Sequence, residues 1–186
     1  SIRNSKLGDK IMRTTSPFPM YFRKAEEYMI DSYTKLLLHM NGADGSTTFI
    51  DEIGKIVTPN GQAQIDTAQS KFGGASGLFD GTGDYLTIPI SIDFDFNVGN
   101  WTVESFFRFS DKDKTAQSIL SGRPDFRWGI YYNSDGNRHM EIYLSSNNFS
   151  WNIISGNPQG TKTDYINGQW YHIAAVDNGS NLQLYI

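Results

Sequence analysis

From Leu36 to Ile186 the chain is cut into short apolar and aromatic runs, with Gly, Asn, Asp and Ser clusters between them and no helix-length segment in between. Such punctuation leaves few options. Short strands joined directly by turns build an antiparallel sandwich or barrel. The segment Trp101 to Phe109 alternates apolar and polar for much of its length, as a strand buried on one face must. Phe126 to Tyr132 and His139 to Leu144 flank Ser134-Asp135-Gly136-Asn137, and Asp-Gly supplies the backbone angles of a tight hairpin turn. Further strands are expected at Leu36 to Met40, Gln64 to Ala68, Gly77 to Phe79, Tyr85 to Ile88, Phe149 to Ile154 and Trp170 to Val176. The last of these turns at Asp177 to Asn181 into Leu182 to Ile186.

Composition supports a packed core and removes several chemistries. Apolar residues make up 38% of the chain, a modest share, but aromatic residues at 14% supply side chains large enough to fill an interior. The chain has no cysteine, which excludes disulfides, a thiolate nucleophile and thiolate metal ligands. No stretch approaches the roughly 20 apolar residues of a membrane-spanning helix. The first residues, Ser1-Ile2-Arg3-Asn4-Ser5-Lys6, are basic and polar rather than the apolar core of a secretion signal. The sequons at Asn100, Asn148 and Asn178 therefore read as by-products of an Asn- and Ser-rich chain.

Charge separates an arm from a body. Up to Lys35 there are seven basic and four acidic residues, and beyond it nine basic and sixteen acidic. The basic residues of the arm are too scattered for a nucleic-acid surface. Ser16-Pro17-Phe18-Pro19 is extended, and Phe22, Ala25, Met29 and Tyr33 follow at helical spacing. The expectation is an arm over 1–33, with a short helix near 20–33, that docks on protein through Phe18, Phe22, Met29 and Tyr33.

A family resemblance rests on four motifs in order. Leu36-Leu37-Leu38-His39-Met40-Asn41-Gly42-Ala43-Asp44-Gly45-Ser46 leads to Phe49-Ile50-Asp51. Lys71-Phe72-Gly73-Gly74-Ala75-Ser76-Gly77-Leu78-Phe79-Asp80-Gly81-Thr82-Gly83-Asp84-Tyr85-Leu86 comes next, followed by Trp101-Thr102-Val103-Glu104 and by Gly168-Gln169-Trp170-Tyr171-His172-Ile173-Ala174. The set resembles a laminin G-like, concanavalin A-like jelly roll over about 34–186. The resemblance implies an all-β, antiparallel two-sheet sandwich. It also implies strands beyond Leu182 to Ile186, so the sandwich is expected to be truncated before its last strands. Such modules occur in sugar-binding and adhesion proteins, glycoside hydrolases and bacteriophage surface structures.

Catalysis on this fold needs paired carboxylates, usually Glu-x-Asp-x-x-Glu on one strand. Neither Glu104 nor Glu141 has an acid two residues on, and Asp93 and Asp95 read as a loop or strand end, so no enzyme is expected. His39, His139 and His172 fall in separate strands and read as hydrogen-bonded structural groups. Asp44, Asp51, Asp80 and Asp84 stand in Gly-rich turns, where carboxylates suit either calcium or the turn's own N–H groups. The resemblance favours calcium, since many members of the family carry it. Tyr131, Tyr132, Asn133 and Trp151 combine rings with amides as a sugar site does, and as buried sandwich aromatics beside polar turns also do.

The expected function is a non-enzymatic structural and adhesion module of a virion or surface appendage, such as a phage tail fibre, made in the host cytoplasm. In this reading the arm holds other virion proteins, the jelly roll faces outward, and the assembly is a homo-oligomer, a trimer by preference. The alternatives are a carbohydrate-binding module of a cell-surface or secreted protein, which would be extracellular, and a glycoside hydrolase. No nucleic-acid partner is expected.

Overall fold

The computed structural model describes residues 30–96, 99–114, 117–122, 127–133, 138–145 and 154–186. The chain divides into two units, Ser1–Asp31 and Ser32–Ile186. Phe18, Phe22 and Met29, expected to anchor the arm, and Trp151, expected in a sugar site, lie outside the described residues, whereas Tyr33 is described and is 84% exposed.

Eleven strands and one 3-10 turn make up the described part of the second unit. β1 (Thr58–Asn60), β2 (Gln64–Asp66), β3 (Ser76–Leu78) and β4 (Tyr85–Thr87) are short, and the 3-10 turn Ile92–Phe94 follows. The longer strands are β5 (Trp101–Arg108), β6 (Gln117–Gly122), β7 (Arg127–Asn133), β8 (His139–Ser145), β9 (Ile154–Gln159) and β10 (Trp170–Asp177), with the four-residue β11 (Leu182–Tyr185) last. They form a three-stranded sheet β11-β10-β5, a four-stranded sheet β6-β7-β8-β9, and the ribbons β1-β4 and β2-β3. All pairings are antiparallel. The fold is therefore all-β, as the turn-punctuated sequence requires.

Period-two alternation assigns each face of the larger sheets. On β5 the half-buried Trp101 and Val103 and the buried Phe107 face inward, while Thr102, Glu104 and Phe106 face out. On β10 Tyr171, Ile173 and Ala175 face inward, and His172 faces out. β7 contributes Ile130 and Tyr132, β8 contributes Met140 and Ile142, and Phe109 and Tyr165 complete one core. The rings interlock. Phe109 and Tyr132 lie 4.5 Å apart, Tyr165 meets Tyr171 at 5.0 Å, and most of these pairs are tilted or edge-to-face as ring quadrupoles prefer. The Tyr171 hydroxyl accepts the Ile166 N–H, but the buried hydroxyls of Tyr132 and Tyr165 have no hydrogen-bond partner among the described residues. Burial raises the pKa of both phenols, so both stay protonated.

A second, smaller cluster of Phe49, Ile65 and Ala75, flanked by Met40, Val57 and Leu86, lies under the ribbons. Here several expectations change. Leu36 to Met40 is not a buried strand. It makes one bridge, Leu38 to Asp51, and is only half-buried because Met40 takes a left-handed φ of 54° that ends extension, leaving His39 exposed. Gly77 to Phe79 and Tyr85 to Ile88 supply β3 and β4, but these pair with β2 and β1 rather than with each other. β1, β6 and β9 were not expected. Pro59 masks the first, Ser and Gly dilute the second, and Gly156 and Pro158 interrupt the third.

Candidate functional site

The non-core face of β8 is polar. Alternation along β8 places His139, Glu141, Tyr143 and Ser145 together on that face, opposite Met140 and Ile142. His139 is 5% and Glu141 6% exposed, so this is a buried polar row on a sheet surface. The His139 Nε2 lies 2.6 Å from Glu141 Oε1, and the Tyr143 hydroxyl donates to Glu141 Oε2 at 2.6 Å. One carboxylate is thus held from both sides. Such an arrangement offsets the desolvation of a carboxylate, which is costly when unpaired.

Tyr131 extends the row onto β7. It stands opposite Glu141 in register, is half-buried, and meets the Tyr143 ring edge-to-face at 5.5 Å and 83°. Gly129, two residues before it, gives the ring its place: a β-carbon there would collide with the Tyr131 ring. Rings, a carboxylate and an imidazole therefore share one sheet face. The signal is a His-x-Glu-x-Tyr spacing at period two, present in the sequence but obscured when each histidine is weighed alone.

A family model described as the concanavalin A-like lectin/glucanases superfamily matches residues 80–186, more than half of the chain. The chain belongs to this superfamily. No curated protein and no solved structure matches it. Superfamily membership fixes the fold and leaves the activity to the site.

Several residues expected to serve the site of this superfamily member have other places. Tyr132 is 0% exposed and packs against Phe109 and Tyr165, so it has no free face for a sugar; strand alternation that sends Tyr131 out sends Tyr132 in. Asn133 ends β7 opposite His139. Tyr131 stands on the polar face, and the register puts Asn133 on the same side of β7.

The four aspartates act on backbone groups. Asp44 Oδ1 accepts from the Thr67 N–H at 3.0 Å. Asp51, which is buried, accepts from Leu37 N–H at 2.8 Å through one oxygen and from Lys55 N–H at 2.9 Å through the other. Asp80 takes the Thr82 N–H at 2.6 Å, while Asp84 takes those of Gln62 at 2.6 Å and Asp80 at 2.8 Å. The Asp80 and then the Gln62 N–H groups hold the Asp84 carboxyl below its ordinary pKa. Calcium needs six to eight oxygens converging on one point. These carboxylates are committed to N–H donors, and the Asp80 carbonyl takes the Lys114 ammonium at 2.9 Å. No group of three or more His, Asp or Glu gathers for a metal among the described residues.

The histidines also separate. His172 reaches Glu104 Oε2 at 3.0 Å across the β5-β10 pair, in the open, while His39 is exposed. No helix among the described residues is long and apolar enough to cross a membrane.

Proposed function

We propose that this chain is a non-catalytic recognition module that reads a glycan on the polar face of its four-stranded sheet. The observation that carries the reading is the row His139, Glu141 and Tyr143 beside Tyr131. Tyrosine faces stack on the C–H side of a pyranose, and the buried Glu141 and His139 position the half-buried Tyr143 beside Tyr131 without touching the sugar. Glu141 supports a binding rather than a hydrolytic role. Hydrolysis takes a second carboxylate about 5 to 10 Å away, and Tyr131 and His139 occupy the neighbouring positions on β7 and β8.

The setting we propose is the surface of a virion or appendage, with the arm over 1–33 holding a neighbouring protein and the sandwich turned to the host. The basic, apolar-spaced arm and the exposed Tyr33 ring support it.

A glycan array probed with the purified chain tests the binding claim. Wild type is expected to retain a defined set of saccharides, Tyr131→Ala to lose them by at least ~10-fold, and Glu141→Gln to weaken them with the fold unchanged by circular dichroism. Release of reducing ends from any retained saccharide, or equal binding by Tyr131→Ala, would overturn the reading.

A further inference from the structure

The other large sheet carries a different cluster on its outward face. Phe106 of β5 is 41% exposed, and Phe72, from the loop between β2 and β3, is 65% exposed. Their centroids lie 5.1 Å apart with the rings at 88°. Two ring faces set at a right angle make an open corner. The ammonium of Lys71 occupies it, 5.7 Å from the Phe72 centroid and 5.6 Å from that of Phe106. On the other side of Phe106 the His172 ring is stacked at 4.6 Å and 27°, and its Nε2 meets Glu104 at 3.0 Å. A carboxylate therefore stands on the same sheet face as Phe106, two residues before it on β5.

A right-angled pair of exposed rings with a cation over both is the geometry in which ring quadrupoles bind positive charge. Lys71 is a poor permanent occupant. Its ammonium is compact and strongly hydrated, its stem is flexible, and the residue is exposed. A quaternary ammonium carries the same charge on a larger, weakly hydrated, methyl-covered surface, so it gives up less water to sit against two phenyl faces. We propose that the Phe72–Phe106 corner is a binding site for a trimethylammonium group of the choline type, with Lys71 as an internal placeholder that the ligand displaces. The site is independent of the glycan face. Both large sheets bury their other side in the same core, so the two outward faces look in opposite directions.

Titration of choline chloride into the full chain, followed by calorimetry against potassium chloride at equal ionic strength, tests this. Saturable binding is expected, reduced at least ~10-fold in Phe72→Ala and in Phe72→Leu, and weakened in Glu104→Gln. The sharper expectation concerns Lys71→Ala. Removing the placeholder tightens choline binding roughly threefold, since the ligand no longer competes with a tethered cation. Tyr131→Ala leaves choline binding unchanged, which separates this site from the glycan face. Vesicles of phosphatidylcholine form a second arm: retention of the chain on them together with free choline binding supports the site with a lipid headgroup as source, and choline binding alone supports it with a soluble compound. Choline that behaves as potassium does, or Lys71→Ala that weakens binding as loss of an anion-binding lysine would, overturns the proposal.

Discussion

The aromatic core between the two large sheets and the small cluster under the ribbons solve the same problem by different means. In the first, strands of six to eight residues, with the four-residue β11 at one edge, form long ladders, and Phe107, Phe109, Tyr132, Tyr165 and Tyr171 fill the space between the sheets. In the second, strands of three residues leave many backbone N–H groups without a ladder partner. Aspartates take over. Asp44, Asp51, Asp80 and Asp84 each accept from backbone N–H groups, and Phe49, Ile65 and Ala75 supply a modest apolar floor. Where strands are too short for backbone to satisfy backbone, carboxylates complete the accounting that buried polar groups demand.

The largest effect should fall on the ring core. Ile173→Ala, at a side chain with no exposure, is expected to cost about 2–5 kcal/mol in urea denaturation and to unfold both large sheets together. A loss below 1 kcal/mol would mean that the ring core is no tighter than the ribbon cluster. Next comes Asp51→Ala, which strands the Leu37 and Lys55 N–H groups and is expected to cost about 2–3 kcal/mol, although it removes little apolar surface. Asp51→Asn, which keeps one acceptor oxygen, should cost less, and equal losses for the two would argue against the carboxylate as the staple. Gly129→Ala should cost about 1 kcal/mol by pushing the Tyr131 ring aside while abolishing glycan binding, a split read by pairing denaturation with the array.

Acid supplies the last and smallest test. Asp84 is held below its ordinary pKa of 3.8 by the Asp80 and Gln62 N–H groups, and Asp93 by the Lys55 ammonium and the Ser91 hydroxyl. A carboxyl lowered on folding contributes its stability above the unfolded pKa and loses it as pH falls through the folded value. Melting temperature should therefore fall from about pH 4 downward, with a shallower slope in Asp84→Asn. An unchanged slope would remove Asp84 from the account.

Much of the ring core could be read from the sequence, because period-two alternation with aromatic residues is a strong local signal: the strand at Trp101, the pairing of β7 with β8 and the pairing of Leu182 to Tyr185 with β10 were all legible. In the ribbon region the strands at Gln64, Gly77 and Tyr85 were legible, but β1 and the pairings were not. Its strands are three residues long, Pro59 lies inside one, and their partners are set by tertiary contacts rather than by sequence neighbours. The candidate site was half legible. Tyr131 and Tyr132 look equivalent until the register decides which of them faces the core, and Glu141 gains its meaning from His139 and Tyr143 on the same face.

The hydroxyls of Tyr132 and Tyr165, which find no partner among the described residues, leave the domain with room for improvement. Each oxygen sits in a packed interior without a hydrogen bond among the described residues, a burden that phenylalanine would not carry. Tyr165→Phe should raise stability by about 1 kcal/mol, an engineering reserve obtained by deleting a single atom. A chain with that margin tolerates damage elsewhere, so the same change offers a sturdier background in which the binding faces can be altered.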